Sequence, residues 1–264
     1  MYTKDQYSFL LSLARDQGYE FVSFLQQSKN SRCIYLRHDV DHSLDMALEL
    51  AKWNAALEVQ GTFFLLLRSQ VYNLLSKWVL ARAREIMSLG QRLAFHCSLS
   101  ADELLEEEAL CNLVIRDFEI VRNELPEVDP VFSWHNPPPA LLQQSLGLQV
   151  KGLINVYGEQ FVKRVPYYSD SNMRYSVSEF ARFLSSDHQA IHLLFHPCNW
   201  VAEGKDMCDV LAKTWQHIIK EREYEIVRNT TYQRVMPGGI PESVLEEFSC
   251  SWINATLQEN SQAS

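Results

Sequence analysis

The chain has 264 residues, 47% of them hydrophobic and 22% charged, enough apolar material for one large α/β domain with a sizeable core. The formal net charge is −9, and no run of Lys and Arg is long enough to follow a phosphate backbone, so the composition argues against a nucleic-acid partner. No stretch reaches the roughly 18 apolar residues that a bilayer span requires.

Residues 1–6 form no signal-peptide core, because Asp5, Asp16 and Glu20 break up the start of the chain. The six cysteines (33, 97, 111, 198, 208 and 250) make no CxxC pair and sit mostly in apolar segments. They read as reduced core thiols, and with the absent leader they lead us to expect a cytoplasmic protein. Cys97 and Cys198 follow suspect histidines closely, yet small core residues are the simpler reading.

Helical periodicity is expected over 4–18, then a strand over 33–38. Ser43 caps a helix over 43–57, and 61–67 is a continuous apolar strand. A helix over 77–89 stops at Gly90, a short strand follows over 92–96, and a long acidic helix covers 101–125 and ends at Pro126. The acidic run from Asp102 to Glu108 is a solvated helix start. A strand over 131–135 leads to a Pro-started helix near 138–146. Strands near 152–157 and 190–196 flank a helix over 177–186, and an amphipathic helix spans about 205–221. The last 40 or so residues are less regular, with disorder expected from Glu259 to Ser264.

Alternating strands and helices, with strands apolar on both faces, imply a parallel sheet in a barrel or doubly wound fold. Such folds place their chemistry at the carboxyl ends of the strands. The first strand ends in His38-Asp39-Val40-Asp41-His42, the third in Phe95-His96, the fourth in Trp134-His135-Asn136-Pro137 and the last in Phe195-His196-Pro197. Asp39 and Asp41 lie on one face of their strand, where two carboxylates repel unless a cation, a metal or a shared proton offsets the cost. The plainer alternative is that Asp41 caps the next helix and Asp39 pairs with Arg37. Aspartate with imidazoles suits zinc and similar divalent metals.

On these strand ends the chain resembles the polysaccharide deacetylases of the NodB-homology type (carbohydrate esterase family 4). The likeness covers roughly 33–200 and is nearest to a subgroup reading His38-Asp39-Val40-Asp41, Tyr168-Ser169-Asp170-Ser171 and His196-Pro197. It implies a single-domain distorted (β/α)7 barrel over 1–264, core about 33–222, with an N-terminal helix and a C-terminal extension. It also implies a divalent metal, zinc foremost, and hydrolysis of an N-acyl group, acetyl foremost, from an amino sugar or saccharide precursor.

Departures from the better-known pattern are specific. Val40 separates aspartates that are usually adjacent, Ser100 stands where a second histidine ligand is usual, and Asn136 stands where an arginine usually orients the base. With Ser100 a poor ligand, the candidates for the metal beside Asp41 and His96 are His135, His42, His38 and Asp39, and His135 is favoured. Asp39 is then the expected general base and His196 the general acid that protonates the leaving amine. Asn136, Trp134, Tyr168, Asp170 and Trp200 are the expected substrate contacts. The rival readings are a saccharide-binding pseudoenzyme and a hydrolase of another C–N bond, such as a deformylase or cyclic amidase.

Overall fold

The computed structural model describes residues 1–26, 32–99, 106–227, 229–244 and 247. Ser100, the 101–105 start of the expected acidic helix and the segment from Glu259 to Ser264 lie outside them.

The strands are β1 (Glu20–Phe21), β2 (Cys33–Val40), β3 (Thr62–Leu66), β4 (Arg92–Ser98), β5 (Val131–His135), β6 (Ile154–Asn155), β7 (Tyr167–Ser169) and β8 (Ala190–Phe195). All pairings are parallel, in the order β6-β5-β4-β3-β2-β8-β7, with β1 beside the start of β2. Read around a circle, β2 to β8 follow one another in chain order, with one break between β6 and β7. The fold is therefore a distorted (β/α)7 barrel, open along that seam. Among the described residues no helix is long and apolar enough to cross a membrane.

Strand alternation divides the side chains into two layers. Ile34, Leu36, Val40, Phe63, Leu65, Leu93, Phe95, Phe132, Trp134, Ile191, Leu193 and Phe195 join a large outer core with helix residues such as Leu10, Leu48, Val79 and Val114. Tyr35, Phe64, Ala94 and Val131 form a second cluster inside the barrel with Phe24 and Phe161. The odd positions of β2 thus point inward, which carries Arg37 and Asp39 into the interior.

The helices around this sheet include α1 (Lys4–Asp16), α2 (Leu44–Ala56), α3 (Lys77–Ser88), α4 (Glu107–Glu124) and α5 (Pro139–Ser145). After them come α6 (Glu159–Val162), α7 (Val177–Leu184), α8 (Pro197–Val201), α9 (Met207–Ile226) and α10 (Thr230–Val235). Local capping explains several starts: Thr3 and Gln6 form a capping box on α1, Ser43 accepts from Met46 N on α2, and Ser176 and Glu179 box α7.

Several short elements differ from the sequence expectation, among them α6, α8 and α10, which it did not mark, and β6, which is shorter than the expected 152–157. The segment around Tyr168, expected as a polar loop, contains β7, because Tyr167 and Ser169 alternate against Tyr168 and pair with β8. The segment 20–21 forms β1, too short to register as a periodic pattern.

Candidate metal and hydrolytic centre

At the carboxyl end of the barrel the inward positions of four strands converge. Tyr72 ties the end of β2 to that of neighbouring β3, donating its hydroxyl to Val40 O and accepting from Leu66 N, both at 2.8 Å. After His135 the backbone enters the left-handed region at Asn136 (φ 42°), a conformation asparagine tolerates, and this turns the chain away into Pro137.

Asp41 lies at the centre. Its Oδ1 is 3.4 Å from His96 Nε2 and 3.3 Å from His135 Nδ1, while its Oδ2 is 3.7 Å from His196 Nε2. Asp41 Oδ1 is buried and makes no hydrogen bond. Burial alone raises the Asp41 carboxyl, but the imidazoles of His135 and His96 outweigh it and hold it well below the usual carboxylate range. His135 moves the opposite way: burial lowers it, and the Asp41 carboxylate more than reverses that.

These three donors can hold a divalent cation. Donor atoms of Asp41, His96 and His135 all lie within 4.8 Å of one another. Tetrahedral bonds of about 2.0–2.1 Å to N and O donors place neighbouring donors about 3.3–3.4 Å apart. The two measured separations from Asp41 Oδ1 have that length, and the orphaned oxygen is the atom a cation would satisfy. His96 is oriented for the task by β5, since its Nδ1 bonds Ser133 Oγ at 2.7 Å and leaves Nε2 facing Asp41. A second trio, Asp45, His217 and Glu221, is also compact. There the Arg82 guanidinium already sits on Asp45 Oδ1 at 2.5 Å and the Ser43 hydroxyl on Glu221, so that donor set is served from within the chain.

Asp39 receives a two-pronged contact from Arg37, with Nε at 2.6 Å from Oδ1 and Nη2 at 2.7 Å from Oδ2. Burial raises the Asp39 carboxyl, and the Arg37 charge, helped by His96, holds it below its usual range. Arg37 lies two residues upstream of Asp39 on the same strand face, so both charges point into the barrel. The pairing that the sequence offered as the plainer alternative is present, and the Asp39 carboxylate still lies 3.5 Å from His96 Nε2.

His196 is fixed by Asp170, which is fully buried. The carboxylate accepts from the His196 backbone at 2.9 and 3.1 Å and from its ring Nδ1 at 2.5 Å. Trp200 Nε1 also donates to Asp170 Oδ2 at 2.9 Å, and Asn199 Nδ2 to Asp170 O at 3.1 Å. Burial lowers the His196 imidazole, but Asp170, with Asp41 and Asp39, raises it to about 9.

No family profile and no curated protein matches this chain. Among solved structures, the deacetylase PplD of Streptococcus pyogenes, in complex with acetate, matches at 13% identity and TM-score 0.43, over 76% of this chain and 84% of that one. The wild-type BA3943 protein of Bacillus anthracis, described as a CE4 family pseudoenzyme, matches at 12% identity and TM-score 0.41, over 74% of this chain. A BA3943 mutant with restored enzymatic activity gives the same identity and TM-score. The match spans 63% and 65% of the lengths of those two chains.

The expected substrate contacts fare unevenly. Trp134 is 1% exposed on the outer face of β5, where its Nε1 donates to Ser145 Oγ at 2.7 Å, so it belongs to the core and cannot meet a substrate. Trp200 is likewise buried, stacked on Tyr2 at 4.4 Å, and acts by holding Asp170. Asp170 itself is turned toward His196 rather than toward a ligand. Asn136 and Tyr168 do border a cleft of about 600 Å³ with Pro137, Ser169 and Arg174. Tyr168 is sandwiched between Tyr175 at 4.3 Å and Phe183 at 4.5 Å, so its ring faces are taken and only its edge reaches the cleft.

His38 points out of the barrel to Tyr7 and Asn54, its Nδ1 on Phe195 O at 3.2 Å, and takes no part in the site. Burial pushes the Cys97 and Cys198 thiols up, as befits core residues. Sequence reasoning passed over Ser133, and it named Arg37 beside Asp39 only as the plainer alternative to a functional site. The signal was available, since each lies two residues before a site residue on the same strand face.

Proposed function

We propose that this protein is a divalent-metal-dependent hydrolase that removes an N-acyl group, acetyl foremost, from an amino sugar or saccharide precursor. The carrying observation is the spacing of Asp41, His96 and His135 around one orphaned carboxylate oxygen, beside one acid and one base of opposite bias. A bound divalent ion, zinc foremost, would be held by those three residues and would polarise the acyl carbonyl and acidify a water.

The remaining work falls to the chain. Asp39, ionised because Arg37 stands behind it, accepts a proton from the attacking water. His196 retains a proton at neutral pH and presents Nε2 toward the same point, its Nδ1 being committed to Asp170. It donates that proton to the nitrogen as the C–N bond breaks, so the products are a carboxylic acid and a free amine. Asn136 and Tyr168, at the cleft beside His135, are placed to contact the sugar.

A second reading, a saccharide-binding pseudoenzyme, draws on one observation: both Asp39 oxygens are engaged by Arg37 and the residue is only 5% exposed. Release of free amine from N-acetyl- and N-formylglucosamine derivatives, with added zinc and with chelator, separates the two. The hydrolase reading requires chelator-sensitive release that Asp39→Asn and His196→Gln each reduce by about 100-fold or more. Saccharide binding without release in any metal condition would favour the pseudoenzyme.

A further inference from the structure

The break between β6 and β7 leads into a second cavity of about 440 Å³, entered from the side of the barrel. Its walls are largely apolar, among them Leu146, Val156, Phe161 and Val162. Its mouth is apolar too: Leu142, Val162 and Tyr167 are 38%, 51% and 47% exposed. An interior this size in a seam that water can reach is an ordinary volume for a small-molecule site and far larger than an acetyl methyl group needs.

Arg37 and His192 are the titratable nitrogen bases in its lining, beside the polar Gln143 and the phenols of Tyr157 and Tyr167. His192 is 4% exposed, and its Nε2 is buried with no hydrogen-bond partner. Burial, reinforced by Arg37, lowers this imidazole to about 3, so it stays neutral in the folded protein. A neutral imidazole nitrogen left unpaired at a cavity wall costs stability unless something in the cavity bonds it.

The seam cavity and the cleft beside His135 are continuous in their walls, because Leu142, Tyr157 and Tyr167 line both. Arg37, at the inner end of the cavity, is the group that holds Asp39. His192 lies four residues before His196 on the inward face of β8, roughly 13 Å lower at about 3.3 Å per residue.

We infer that the seam cavity receives an apolar acyl arm of the substrate, well beyond acetyl in length, bearing a hydrogen-bonding group that meets His192 Nε2. This inference rests on the hydrolase reading and deepens it, changing the substrate class from an acetamide to a lipid-like amide of an amino sugar.

The test uses the full chain and a neutral probe series, the N-methylamides of acetic, butyric, hexanoic and octanoic acids, titrated by calorimetry or protein-observed NMR. Affinity is expected to rise about fourfold for each buried methylene, and to fall at least tenfold for the octanamide in Val162→Trp and Leu146→Trp. Val162 sits exposed at the rim, so its variant keeps the test sound if Leu146→Trp fails to fold. N-methyl-8-hydroxyoctanamide should lose more affinity in His192→Phe than the plain octanamide does. A flat series in the wild type, or a steep one indifferent to both Trp variants, overturns the inference. Hydrolysis of N-acylglucosamines is scored separately: release with a flat series overturns the acyl arm alone, and a steep series without release supports the arm while counting against the hydrolase.

Discussion

The Arg37–Asp39 pair carries a quantitative consequence. Its side chains are 1% and 6% exposed, with both hydrogen bonds at 2.6–2.7 Å, so neither charge has water to fall back on. Replacing Arg37 by Met keeps most of the volume but strands a carboxylate in the barrel. Removing one partner of a buried pair costs about 3–5 kcal/mol, a large share of the roughly 5–15 kcal/mol that holds a domain together. Replacing both, as Arg37→Met with Asp39→Leu, removes the stranded charge and should return at least about 2 kcal/mol of that loss. Urea unfolding of the four proteins at pH 7, followed by far-UV circular dichroism with a common m-value, measures the cycle. A cost below about 1 kcal/mol for Arg37→Met, or a double variant no more stable than that single one, would refute the reasoning.

Asp170→Asn removes the charge that seats His196 while leaving the cleft intact. We expect kcat to fall about 100-fold or more with KM changed by less than about threefold, and a matched loss in both parameters would contradict a positioning role. His38 and His192 are each held neutral by burial, their folded values near 3 lying below the unfolded value of 6.5. The stability they contribute is therefore complete above pH 6.5 and lost as pH falls toward 3. The unfolding free energy from urea titrations should drop steeply from pH 6.5 to 4.5, by up to about 1.4 kcal/mol per pH unit for each histidine, and His38→Gln should shallow that slope. A wild type equally stable at both pH values would contradict it.

Much of the fold was legible because both strand faces are apolar: β5 falls at 131–135 as expected, and β2 only runs two residues longer than expected. The convergence of Asp41, His96 and His135 also followed from a rule about strand ends rather than from local pattern. What escaped was tertiary. Trp134 and His135 are adjacent in sequence, yet alternation sends one into the outer core and the other into the site. Trp200 lies four residues after His196, but it is folded back under Asp170, and only the barrel's closure shows this. Strands β1 and β7 are two and three residues long, too short for periodicity to mark, β6 fills only two residues of the strand expected over 152–157, and the open seam exists only because β6 and β7 do not meet.

The central claim is a metal held by Asp41, His96 and His135. Elemental mass spectrometry of the wild type, purified without chelator, beside Asp41→Ala and His96→Ala tests it most directly. The account predicts near-stoichiometric zinc or another divalent ion in the wild type and loss in both variants, each still folded by circular dichroism. A wild type that is empty and also refuses added metal would contradict it.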